Sequence, residues 1–192
     1  MFTISGKFLS IFLIASSILL IVDAKISLSK GDDVVFVGAG MGSRMIHYGH
    51  FETEIYLHHS DLNLKIRNLC DEGNTPGFRP HPSRNQEEQY AFPGAKDFIH
   101  DSLKAATKPK GHFPTPDQWL SDLHAEVVLC FFGFNSSFDG PKQANRFKKE
   151  LGAYIKHLKS MSFGQNTPKI ALISPTAVET IPGISDGQSQ NR

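Results

Sequence analysis

From Asp32 the chain reads Asp-Asp and then four apolar residues, Val34 to Val37, before it breaks into the glycines of "VGAGMGSRM". A short continuous apolar run bounded by a turn predicts a strand covered on both faces, as in a parallel sheet. In "SRMIHYGHFETEIYLHHS" the apolar residues Met45, Ile46, Phe51 and Ile55 recur at mixed three- and four-residue steps, which predicts one amphipathic helix. "LNLKIRNL" then alternates apolar and polar and predicts a second strand, so that the first half is a right-handed βαβ unit. Regular patterning stops between Cys70 and Asp117, where "TPGFRPHPSRNQEE" and "KPKGHFPTP" are dominated by glycine, proline and polar residues. Segments of this length without periodicity are usually functional loops or mobile ones. Periodicity returns in "PDQWLSDLHA", a short helix opening at Pro116 and Asp117, and in the strand "EVVLCFFGF". A helix from about Pro141 to Ser160 places Phe147, Leu151, Tyr154, Ile155 and Leu158 on one face, and "KIALISP" makes a fourth strand. The order β-α-β-loop-α-β-α-β is that of an open α/β fold, with a parallel sheet flanked by helices.

Composition changes this picture little. The chain has 192 residues, 40% of them hydrophobic, which suits one domain with a sizeable core. Its formal charge of +1 gives no electrostatic reason to expect nucleic acid or an anionic membrane as partner. Residues 1–24 follow a separate pattern: Lys7 supplies a positive start, "FLSIFLIASSILLIV" is apolar, and "VDA" ends on a small residue. This predicts a secretory signal, hence export to a periplasmic or extracellular location with no membrane attachment after cleavage. An uncleaved anchor is the other reading. An oxidising compartment would permit a bond between Cys70 and Cys130, although each also has the apolar context of a buried free thiol.

Two chemistries compete for the glycines. Gly38 and Gly40 occupy the first two positions of a dinucleotide fingerprint, but Ser43 stands where its third glycine belongs, and "KIRNL" closes without an acidic residue to hold a ribose. The other reading is acyl chemistry. A strand ending in Gly133-Phe134-Asn135 puts an amide side chain at the carboxyl edge of the sheet, and Gly73 in "NLCDEGNT" can turn a backbone N–H toward the same place. "DFIH", Asp97 to His100, has the spacing of a base motif but lies between these blocks; His47 with His50 or Glu54 could share a helical face, as solvated residues also do.

On "VVFVGAGMGSRMIHYGHFETEI", "IRNLCDEGNT" and "AEVVLCFFGFNSSF", followed by "IALISPTAVE", the chain resembles the SGNH or GDSL hydrolase superfamily, in particular a branch of secreted bacterial proteins. The resemblance implies an SGNH/flavodoxin-like three-layer α/β sandwich over residues 25–192. It also implies ester hydrolysis on an acylated, carbohydrate-type substrate, without metal or cofactor. Gly73 and Asn135 match the oxyanion donors of the second and third blocks. The family's Gly-Asp-Ser falls on Gly38, Ala39 and Gly40, so that Gly40 keeps a backbone N–H but brings no nucleophile. Ser43 is the nearest hydroxyl, about one helical turn further on; a helix-capping role is its other reading. The family's Asp-x-x-His would follow a further strand, which implies that the chain is an N-terminal fragment lacking its C-terminal part. A catalytically inactive module that binds carbohydrate esters is the alternative function.

Overall fold

A computed structural model of the chain describes residues 25–101, 113–163 and 166–190; the expected signal segment lies outside them, as does part of the "KPKGHFPTP" loop. The sheet has four parallel strands in the order β2-β1-β3-β4: β1 is Asp33–Gly38, β2 Lys65–Asn68, β3 Val127–Phe131 and β4 Lys169–Leu172. Val34 pairs with Ile66 on one side and Val127 on the other, and Gly38 ends β1 opposite Phe131. β1 and β3 are central and almost wholly buried, which is why their sequences are continuous apolar runs. The expected parallel sheet with helices, an α/β fold, is therefore present.

Side chains of the two central strands alternate between two cores. Val34, Phe36, Leu129 and Phe131 point to one face, where Met41, Met45, Phe51 and Ile55 of α1 (Gly40–Tyr48) and α2 (His50–His58) cover them. Val35, Val37, Val128 and Cys130 point to the other, against Leu120 of α3 (Pro116–Asp122) and Tyr154 and Leu158 of α5 (Ala144–Ser160). A four-residue helix, α4 (Phe134–Ser137), follows β3, and α6 (Gly187–Gln190) lies near the end of the chain.

The expected single helix after β1 is two. Gly49 adopts φ 60°, caps α1 by donating its N–H to the Met45 carbonyl, and starts α2. A glycine in the left-handed region is the usual way to end a helix, and the apolar periodicity runs across it because both pieces pack on the same core. The long segment after β2 also departs from expectation. Its described residues up to His100 are irregular except for two single-turn 3₁₀ helices, yet Phe78, Ala91, Phe92, Ala95 and Ile99 are buried, and Ala91, Phe92 and Ala95 belong to the second core. It serves as a layer of the fold. α3 opens on a reciprocal cap in which Thr115 accepts the Gln118 N–H while the Gln118 side chain accepts from Thr115.

Candidate functional site

β1 sends its chain to α1 on one face, and β3 sends its chain to α4 and α5 on the other. The carboxyl ends of these neighbouring strands therefore form the crevice at which open α/β sheets place ligands. Three glycines of "VGAGMGS" do different work there. A Cβ on Gly38 would run into the Phe131 carbonyl, and its φ of 149° suits only glycine. A Cβ on Gly42 would collide with the Cys70 sulfur, so glycine lets α1 lie close on the end of β2. Gly40 is under no such constraint: its Cβ would meet only the Glu72 Cγ, at 4.0 Å.

Gly40, Gly73 and Asn135, singled out from the sequence as oxyanion donors, line one cavity of about 590 Å³ together with Arg44, Glu72 and Thr176. The Gly40 and Gly73 N–H groups have no acceptor among the described residues. The first N–H groups of a helix carry partial positive charge and have no intrahelical partner, and α1 has no side-chain cap to satisfy them. Gly73 reaches its position with φ 85° in the turn after β2. The Asn135 amide donates to the Asn74 carbonyl at 3.3 Å, while the Asn74 amide donates to the Gly38 carbonyl at 3.0 Å. Asn74, which the sequence reading passed over, thus links the second and third loops to the end of β1. Arg44 and Glu72 pair at 3.6 Å, both well exposed.

Ser43 is placed differently. Its hydroxyl donates to the Gly40 carbonyl at 3.1 Å, and its N–H donates to the Ala39 carbonyl at 3.1 Å, as in an ordinary first helical turn. It does not line the cavity that Gly40, Gly73 and Asn135 share. Asn68 closes β2 with both ends of its amide in use, donating to the Gly42 carbonyl at 2.8 Å and accepting the Cys70 N–H at 2.9 Å. Asp97 and His100 are both exposed in the segment between the second and third blocks. Among the described residues no three His, Cys, Asp or Glu side chains gather as a metal ion would require, and no helix is long and apolar enough to cross a membrane.

The two cysteines are buried free thiols belonging to different cores. Burial pushes both thiols up to about 12, with the nearby Arg79 guanidinium pulling the other way. Neither is a nucleophile at neutral pH, since attack needs the thiolate.

A second cavity, of about 210 Å³, lies beside the first on the other side of Asn74. Its walls include Arg79, Arg84, His81, Trp119 and Tyr154. Arg79 is 5% exposed and Arg84 3% exposed. The sequence reading missed these arginines, because arginine is almost always a surface residue unless paired. Their context in "GFRPHPSR" gave no periodic signal. No family model, curated protein or solved structure shows significant similarity to this chain.

Proposed function

We propose that this protein is an exported α/β domain, built as an SGNH/flavodoxin-like three-layer sandwich, which binds the carbonyl of an ester-bearing ligand, an acylated carbohydrate in the first instance. The observation that carries the reading is the convergence of Gly40, Gly73 and Asn135 on one cavity at the β1–β3 crevice, with two backbone N–H groups lacking an acceptor among the described residues. An ester oxygen placed there would accept from those N–H groups and from the Asn135 amide, which is free to leave its 3.3 Å bond to the Asn74 carbonyl. The carbohydrate comes from the SGNH resemblance alone.

Binding without turnover is the form of the proposal that the geometry favours. Covalent acyl transfer needs a hydroxyl or thiol within reach of a base. Gly40 has neither, Ser43 spends its hydroxyl on the Gly40 carbonyl, and Thr176, the hydroxyl that does line the cavity, shares it with no histidine among the described residues. A fluorophosphonate probe should therefore leave Ser43 unlabelled, and the wild type and Ser43→Ala should bind an acetylated sugar equally well without hydrolysing it. Asn135→Ala should weaken that binding about tenfold, the value of one hydrogen bond. Probe labelling at Ser43 together with esterase activity lost in Ser43→Ala would instead make the protein a hydrolase with a displaced nucleophile.

A further inference from the structure

The second cavity carries an inference of its own. The Arg79 guanidinium lies over two rings, 4.6 Å from the centre of Phe132 and 5.1 Å from that of Tyr154. One of its nitrogens, Nη1, donates weakly to the Phe78 carbonyl at 3.4 Å, the Tyr154 hydroxyl lies within reach of the guanidinium, and the other nitrogen, Nη2, is buried with no partner among the described residues. Arg84 donates to the Pro114 carbonyl at 2.7 Å and to the Arg79 carbonyl at 3.1 Å, and its guanidinium lies 5.2 Å from the centre of the Trp119 indole. Neither arginine makes an ion pair among the described residues. Glu88 offsets the Arg84 charge only from a distance, and burying a cation without a close counter-charge is costly, as is setting two buried cations side by side. Such a pair is expected where a ligand supplies the anion.

An acceptor waits in the same cavity. The Asn74 amide nitrogen is committed to the Gly38 carbonyl, which fixes the amide's orientation, and its Oδ1 is buried with no donor. Asp71 stands exposed on the same lining. A carboxylate facing outward and an unfilled amide oxygen disfavour a ligand that offers only acceptors, as a dianionic phosphate does. A ligand with one carboxylate and neighbouring hydroxyls satisfies both orphan atoms, and the Trp119 indole offers a flat apolar wall to its carbon skeleton. The volume of about 210 Å³ fits a small molecule.

We propose that the cavity between Arg79, Asn74 and Trp119 binds a small hydroxylated carboxylate of the sugar-acid type, its carboxylate on the Arg79 guanidinium and a hydroxyl on the Asn74 amide, each side chain turning its closed-off atom toward the ligand. The proposal stands apart from the ester-binding reading, since it uses a different cavity and different residues.

Trp119 is the only tryptophan of the chain and lines this cavity, so its fluorescence reports occupancy directly. The experiment titrates the purified protein with D-glucuronate, the neutral D-glucuronamide and inorganic phosphate, following Trp119 emission and heat. Glucuronate should bind saturably and change the emission. The amide should bind roughly 10- to 100-fold more weakly, the value of a charge-assisted hydrogen bond. Arg79→Gln should lose the same factor, and Arg79→Lys should recover part of it; circular dichroism checks that both variants fold. If neither variant folds, the acid-to-amide ratio on the wild type decides alone. Equal affinity for acid and amide, tighter binding of phosphate than of glucuronate, or no saturable response to glucuronate would each overturn the assignment.

Discussion

The two faces of the sheet are built from different materials. On the α1/α2 face the buried atoms are almost all hydrocarbon: Val34, Phe36, Ile66, Leu129 and Phe131, with the Phe36, Phe51 and Phe131 rings 5.4 to 6.0 Å apart. On the opposite face, four of the six buried polar residues among the described ones, Asn74, Arg79, Arg84 and Gln89, come from the irregular segment after β2, and a fifth, Glu150, reaches it from α5. The difference follows from the backbone. Past their first turns α1 and α2 satisfy their own amides, whereas an irregular segment packed into a core must find partners for each N–H and carbonyl one at a time. Glu150 does this by accepting from the Gly77 N–H at 2.7 Å and the Thr75 hydroxyl at 2.5 Å, and Arg84 does it for the Arg79 and Pro114 carbonyls. Polar groups brought inside to hold a loop are also the groups that can meet a ligand. The second cavity accordingly opens on the loops of that face, while the first lies between the start of α1 and the loops after β2 and β3.

If that contrast is right, the hydrocarbon side should fail by clash and the polar side by loss of partners. Gly38→Ala should have the largest effect, about 3 kcal/mol or more in chemical denaturation, because the added methyl meets the Phe131 backbone at a φ that side chains avoid. Glu150→Ala should cost about 3 kcal/mol by stranding a buried N–H and a hydroxyl, and Glu150→Gln distinctly less, since its amide oxygen can still accept. A Glu150→Ala loss well under ~1 kcal/mol would mean that the irregular layer is not held by its polar partners. Thr115→Ala, which removes one side of the reciprocal cap on α3, should cost about 1 kcal/mol. Gly40→Ser should be tolerated within about 0.5 kcal/mol, as the space beside Gly40 is open.

The cysteines give a test by pH. Each is held near 12 in the fold and falls back toward 9.0 on unfolding, so the folded state keeps protons that the unfolded state has lost. Their contribution to stability is therefore complete below pH 9 and declines as pH rises from about 9 to 12. Cys70→Ala with Cys130→Ala should flatten that part of the stability profile. Ellman's reagent at neutral pH should react with neither thiol until denaturant is added.

How far the sequence carried depended on how local the determinants are. β1 and β3 were legible because strands buried on both faces need apolar residues at every position, and the α5 face was legible because Tyr154 and Leu158 keep helical spacing. The break at Gly49 was missed although an isolated glycine about halfway through a helical stretch is a stop signal; the apolar pattern continued past it and hid the turn. The Thr115–Gln118 cap could likewise have been read from its spacing. The burial of Arg79 could not, because it depends on Phe132 and Tyr154, which are more than fifty residues away in sequence. Of the candidate site, Gly73 and Asn135 were proposed from strand ends and Gly40 from the SGNH resemblance, whereas Asn74, which accepts from Asn135, was not singled out.

The central claim is that a carbonyl can sit on the Gly40 and Gly73 N–H groups without being attacked. The direct test is an NMR titration of the ¹⁵N-labelled protein with an acetylated monosaccharide. The account requires the Gly40 and Gly73 backbone amides and the Asn135 side-chain amide to shift together along one saturation curve, with no acetate released. Saturation that moves other resonances and leaves these three in place would contradict it.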